Sequence, residues 1–151
     1  MIERTTHHDT FTIERTYDAS PARVFNAWAD PAAKARWFVG PDEWLRGAHE
    51  LDFRVGGREF LSGGPQGGTV HTFECRYHDI VPNERIVYAY DMRLDDARIS
   101  VSLATVEFKP AGAGTRLVFT EQAVFLDGYD DAGSRKRGTE GLLDQFGASL
   151  R

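Results

Sequence analysis

Five histidines, one cysteine and scattered carboxylates are the side chains of this 151-residue chain with metal-binding or acid–base chemistry. Their spacing argues against most of that chemistry. His7 and His8 fall in an N-terminal stretch, residues 1–9, that the sequence predicts to be frayed. His49, His71 and His78 are scattered over different strands, with no His-x-x-x-His pair and no carboxylate partner at ligand spacing. A metal shell needs three or four such groups converging on one point, so neither a metal nor any other cofactor is expected. Cys75 stands alone, which excludes an internal disulfide and a cysteine-pair metal site. Nothing near it in sequence would lower its pKa, so it reads as a buried structural thiol rather than a nucleophile. No serine sits in a Gly-x-Ser-x-Gly elbow, and Gly63-Gly64-Pro65-Gln66-Gly67-Gly68 lacks the Lys-Ser/Thr of a phosphate loop, so that run reads as a hairpin connection. Asp127-Gly128-Tyr129-Asp130-Asp131 lacks the pattern and terminal glutamate of a calcium loop, and its acids suit the positive end of a helix instead.

Aromatic side chains and a few polar residues remain. Trp28, Trp37, Phe38 and Trp44 crowd a helix pair and the start of the second strand, while Phe53, Phe60, Phe73, Tyr88, Tyr90 and Phe119 recur on successive strands. Each is read first as core and second as a ligand contact. Strand alternation puts Leu117, Phe119 and Glu121 on one face, and Ser100, Ser102, Ala104, Val106 and Phe108 on one face of the preceding strand. If these faces point at the last helix, Glu121 is a carboxylate beneath it. It is then either ion-paired with Arg98, Arg15 or another strand arginine, or a desolvated general base near His71 or Tyr88. The triplet Arg135-Lys136-Arg137 is read as decoration on a solvated helix turn.

The elements that position these residues follow from periodicity. Phe11, Ile13, Arg15 and Tyr17 alternate with polar neighbours as in a half-buried strand. Ser20-Pro21 supplies an N-cap and a first-turn proline, with Val24, Phe25 and Trp28 on one helical face. Asp30-Pro31 opens a shorter helix expected to run through Trp37, ended by Gly40-Pro41. Six antiparallel strands are then predicted near 47–55, 58–63, 69–81, 85–94, 98–109 and 115–124, each bounded by turn residues. A closing helix is expected from Asp130 or Asp131 to about Leu150, with Leu142, Leu143, Phe146 and Leu150 as its apolar stripe. It also carries Gly133, Gly138, Gly141 and Gly147, each costing about 1 kcal/mol relative to alanine. Two reasons could retain them: close approach of the helix backbone to the sheet, or space for a ligand beneath the helix.

Length allows a single domain, residues 1–151, with one sizeable core. No apolar run is long enough to span a membrane, and the N-terminus has neither a signal-peptide nor a transit-peptide pattern, so a cytoplasmic location is expected. With Lys+Arg 18 against Asp+Glu 23, a net charge of -5, and no basic block beyond Arg135-Lys136-Arg137, nucleic acid is a poor partner.

The run FTEQAVFLDGYDDAGSRKRGTEGLLDQF, with Ile13-Glu14-Arg15 before Ser20-Pro21 and Phe25-Asn26-Ala27-Trp28 after it, resembles the bacterial proteins called activator of heat-shock-protein-90 ATPase homologue-like. These belong to the START-like (SRPBCC), or helix-grip, superfamily. The resemblance covers roughly Thr10 to Leu150 and implies an α+β helix-grip fold: a curved seven-stranded antiparallel sheet, two short helices after strand one and a long C-terminal helix across the sheet. It also implies a deep cavity between sheet and helix. Its candidate ligand contacts are Trp28, Trp37, Phe38, Phe53, Phe73, Tyr88, Tyr90, Ser102, Phe119, Glu121, Gly138, Gly141 and Leu142, with no catalytic residue assigned. The leading expectation is non-enzymatic binding of an apolar or amphipathic small molecule. The alternatives are a chaperone-interaction module, as the family name suggests, and an enzyme of the cyclase or dehydratase kind. A homodimer through exposed aromatic or strand surface is a further option.

Overall fold

A computed structural model of the chain describes residues 3–151. Along them run β1 (Thr6–Tyr17), α1 (Pro21–Ala29), α2 (Pro31–Ala35), β2 (Leu45–Leu51), β3 (Arg58–Gly64), β4 (His71–Val81), β5 (Arg85–Leu94), β6 (Ala97–Ala111), β7 (Gly114–Leu126) and α3 (Ala132–Ser149). The strands make one antiparallel sheet in the order β1-β7-β6-β5-β4-β3-β2, with β1 and β2 at its edges. This is the α+β helix-grip arrangement expected from the sequence. No helix among the described residues is long and apolar enough to cross a membrane.

Local chemistry explains the element ends. Ser20 caps α1 by accepting from the Arg23 amide, with Pro21 in the first turn. Asp30 both closes α1 and caps α2, accepting from the Ala33 amide at 2.9 Å. Helix α2 stops at Ala35, two residues before the predicted end, because the Arg36 and Trp37 amides bond three residues back, to Ala33 and Lys34. The two-residue loops Asp95-Asp96 and Gly112-Ala113 join β5 to β6 and β6 to β7. Two boundaries differ more from expectation. Thr6 to Asp9 are not frayed: they pair with Leu126 to Ala123 of β7, and the Thr5 amide and Arg4 bond to Asp127. Met1 and Ile2 lie outside the described residues. Strand β2 spans 45–51 rather than 47–55, because the Asp52 amide donates to the Arg58 carbonyl and the Gly57 amide to Arg54, closing a turn over 52–57.

The C-terminal half of α3 presses hard on its neighbours. Phe146, fully buried, stacks on Trp37 with ring centroids 4.9 Å apart and also meets Tyr17 at 5.0 Å and Trp28 at 5.9 Å. The Tyr17 hydroxyl donates to the Leu143 carbonyl at 2.9 Å. A Cβ on Gly147 would sit 2.9 Å from Tyr17 Cε1, so here the glycine allows close approach. Around Gly138 and Gly141, by contrast, an added Cβ would find no atom within 4 Å. The helix glycines therefore divide between the two expectations, one end tight and the middle open. Leu142, placed in the predicted stripe, is only half-buried, whereas Leu143, Phe146 and Leu150 are buried.

Phe146→Ala should cost about 3–5 kcal/mol in urea denaturation, and Leu142→Ala much less, since its side chain borders open space. Equal losses would contradict this placement of α3. Gly147→Ala should destabilise despite its better helix propensity, whereas Gly138→Ala should gain up to roughly 1 kcal/mol. Stabilisation by both would remove the close contact with Tyr17.

Candidate functional site

Between α3 and the middle of the sheet lies a cleft of about 790 Å³. Its walls come from α2 and the segment after it (Trp37, Phe38, Trp44), from β3 and β4 (Leu61, Phe73), from β5 (Tyr88, Tyr90, Met92) and from β7 (Phe119). Helix α3 contributes Arg135, Gly138, Gly141 and Leu142. The cleft is half-open: Gly40, Arg46, Ser134 and Gln145 among its lining are exposed. Side chains alternate along strands, so one face of β3 to β5 supplies most of the wall, and the absence of side chains on α3 at Gly138 and Gly141 leaves the gap unfilled.

Ten of the thirteen candidate contacts lie on this wall: Trp28, Trp37, Phe38, Phe73, Tyr88, Tyr90, Phe119, Gly138, Gly141 and Leu142. Three do not. Phe53 packs edge-on against Phe25 and Tyr77, at 5.7 and 5.0 Å, because β2 has ended and the turn carries its ring under α1. Ser102 and Glu121 are buried behind the wall, where Ser102 Oγ donates to Glu121 Oε2 at 2.8 Å.

Glu121 is an ion-pair carboxylate, and its partner is neither Arg98 nor Arg15 nor any strand residue. Arg98 pairs with Asp91, and Arg15 lies by Asp144 and Glu140. The partner is Arg135, whose Nη1 donates to Glu121 Oε2 at 3.1 Å and to the Tyr90 hydroxyl at 3.0 Å, while Nη2 donates to Ser100 Oγ at 2.7 Å and Asp130 Oδ2 at 3.2 Å. Burial alone would disfavour the guanidinium charge, but Tyr90, Glu121 and Asp130 outweigh it and raise the pKa. Burial and the adjacent Glu121 push the Tyr90 phenol above its ordinary value. Arg135 is thus no solvated decoration: it is 10% exposed and ties the first turn of α3 to three strands. The sequence signal was its helical register with Leu142, Leu143 and Phe146, which puts it on the face toward the sheet.

A second buried network was not anticipated. Lys34, on α2, donates to Glu59 Oε1 of β3 at 2.5 Å, and the Tyr77 hydroxyl of β4 donates to the same oxygen at 2.6 Å. His49 of β2 bonds through Nε2 to Glu59 Oε2 at 2.8 Å. Lys34 and Glu59 are 2% and 0% exposed, and the ammonium lies 4.7 Å from the Phe38 ring centroid and 5.3 Å from that of Trp28. Burial by itself pushes the Glu59 carboxyl up. The Lys34 ammonium, with hydrogen bonds from His49, Lys34 and Tyr77, outweighs it and holds the carboxyl below its ordinary value. Glu59 shares its strand face with Leu61, and that alternation was the available clue. Phe60, on the other face, does not line the cleft.

Of the remaining titratable groups, Cys75 borders the second network, paired across the strands with Glu59, and His71 lies outside both. Cys75 is buried, and burial pushes its thiol up to about 12, as suits a structural residue. Burial lowers the pKa of His71, opposed by Asp95, and its ring meets Trp44 at 4.5 Å. Among the described residues no group of three His, Cys, Asp or Glu side chains converges in a way that could hold a metal ion. Asp131 caps α3 by accepting from the Ser134 amide at 2.8 Å, so the acidic run opens a helix.

Because the folded Glu59 carboxyl is depressed, its contribution to stability is present above the unfolded value of about 4.3 and is lost as pH falls through the folded value. The stability difference between the parent and Glu59→Gln should accordingly shrink on acidification below about pH 4.3. A difference that stays constant to low pH would contradict the assignment. Lys34→Met should cost about 3–5 kcal/mol at neutral pH, since it strands a buried carboxylate.

The family model described as activator of Hsp90 ATPase homolog 1-like protein matches residues 18–151. Among solved structures, a Rhizobium leguminosarum protein is 49% identical with a TM-score of 0.93, covering 98% of this chain and 97% of that one. A Rhizobium loti protein is 46% identical with a TM-score of 0.90, covering 96% and 99%. An AHSA1-like protein from Aeromonas hydrophila, 22% identical with a TM-score of 0.71 over 94% and 92% of the two chains, shares the fold. No curated protein matches. The family match spans both helices of the grip, the sheet wall and the glycine-bearing α3, and the chain belongs to the activator of Hsp90 ATPase homolog 1-like family.

Proposed function

We propose that the protein binds an apolar or amphipathic small molecule in the cleft beneath α3, without chemistry on it. One observation carries this reading: a cleft of about 790 Å³, walled mainly by aromatic and aliphatic side chains, stays open where α3 bears glycine at 138 and 141. That volume lies within the range of about 300–1,000 Å³ usual for small-molecule sites. Both ends of α3 are firmly tied, by Phe146 and by Arg135, so the opening is a built feature of the fold. Family membership is compatible with ligand binding or with a co-chaperone-like role. A chaperone-contacting surface would have to draw on exposed apolar residues such as Val101 and Leu103, 38% and 41% exposed on the outer face of β6. Leu45, Val55, Val70 and Tyr129 are exposed as well but come from separate segments of the chain, whereas the cleft gathers its aromatic side chains on one wall.

Native mass spectrometry of freshly purified protein should reveal a co-purified small molecule, and anilinonaphthalene sulfonate should bind with increased fluorescence. Gly141→Leu should fill the gap, weaken probe binding and leave stability equal or higher. Absence of both a bound mass and probe binding in the parent, together with destabilisation of Gly141→Leu by about 1–3 kcal/mol, would sink the reading in favour of a surface-interaction module.

A further inference from the structure

Polar atoms inside a protein are nearly always paired, so an unpaired one on a cleft wall marks where a ligand's polar group belongs. Among the described residues, Trp28 Nε1 and Glu121 Oε1 are the sealed side-chain atoms without a partner. His49 Nδ1 has no hydrogen bond among those residues either, yet it is not sealed, and His49 lines the cleft with its side chain 17% exposed. His49 thus carries an accessible, unpaired nitrogen on a residue of the cleft wall. The Tyr88 hydroxyl is in the same position: it lacks a protein partner, is not sealed, and belongs to a cleft-lining residue whose ring lies 6.4 Å from that of Phe73. Arg135 is occupied by its four acceptors and Tyr90 by Glu121. Arg46, Ser62, His71, Ser134 and Gln145 of the lining also make no side-chain hydrogen bond among the described residues, but of these open groups His49 alone is bonded to a buried charge network.

The network behind His49 decides what its open nitrogen presents. Glu59 is held ionised beside Lys34 and accepts the Tyr77 hydroxyl, so it can only accept from the imidazole. In the neutral imidazole the ring proton then resides on Nε2, and Nδ1 offers a lone pair. The groups facing the imidazole from the packed elements are Glu59 on β3, Lys34 on α2 and Tyr77 on β4; Arg46 and His71 share its cleft wall from β2 and β4. The Lys34 and Glu59 charges offset each other. A lone pair in this setting selects a hydrogen-bond donor, not a second acceptor. The surrounding surface selects rings: Phe38 lies 6.3 Å from the His49 ring and meets Phe73 edge-on at 5.0 Å.

We propose that His49 is the polar anchor of the cleft, and that the occupant is an aromatic molecule bearing a hydroxyl, which donates to His49 Nδ1 while its ring packs among Phe38, Phe73 and Tyr88. This rests on the cleft being a small-molecule site and adds the ligand's chemical class. His49 is a recognition residue here, and no covalent step is invoked.

Two matched probes test it: umbelliferone, a phenol on a fused ring, and herniarin, its methyl ether, which lacks the donor. Fluorescence titration of the parent should give about tenfold tighter binding for umbelliferone, the worth of one hydrogen bond to an otherwise unpaired group. In His49→Phe, umbelliferone should weaken to the level of herniarin, whose own affinity stays unchanged and so reports that the cleft is still formed. Equal affinities in the parent, or a preference for umbelliferone that survives in His49→Phe, would overturn the anchor while leaving the cleft as a binding site. Failure of both probes to bind the parent would remove the small-molecule reading and this inference together. Should His49→Phe not fold, His49→Leu makes the same comparison.

Discussion

Helix α3 is held to the sheet at its two ends by different forces, and the cleft is what remains between them. At the C-terminal end, dispersion and the hydrophobic effect dominate: Phe146 is enclosed by Tyr17, Trp28 and Trp37, and Gly147 lets the helix backbone settle on the Tyr17 ring. At the N-terminal end, one guanidinium reaches Glu121, Tyr90, Ser100 and Asp130. A helix clamped in this way cannot collapse into the gap at its middle. The four glycines lower its intrinsic propensity, so tertiary attachment must supply what local preference does not.

Both charge networks occupy the interior, where isolated charges are costly and only well-paired ones are retained. Each joins a helix to the sheet: Lys34 brings α2 to β3 and β4, and Arg135 brings α3 to β5, β6 and β7. Ion pairs are directional, so they set the position of a helix along the sheet more narrowly than apolar packing does. The Lys34 network has a second consequence, because Glu59 accepts from Nε2 of His49 and so fixes the tautomer of a neutral imidazole on the cleft wall.

The family's fold hosts many activities, so function must be read from the site. Here the site is a wall built mainly of aromatic and aliphatic side chains, with two buried charge networks beside it. Charges that could drive acid–base chemistry are mostly committed to one another behind the wall.

The sequence by itself determined the architecture. Period-two alternation, the Ser20-Pro21 and Asp30-Pro31 caps, the turn residues at 95–96 and 112–113, and the stripe of Leu143, Phe146 and Leu150 are local signals, and each is decided within a few residues. Alternation also placed most aromatic wall residues on the correct face. Only the tertiary structure decided the partners. Lys34 and Glu59 are 25 residues apart, Glu121 and Arg135 belong to different elements, and Thr6 to Asp9 are ordered by a strand more than a hundred positions away. No periodicity encodes which charged side chain meets which, because that depends on sheet order and on where a helix crosses it. The same holds for the glycines of α3: their cost is local, but whether a glycine meets a tyrosine ring or open space is set by the distance between helix and sheet.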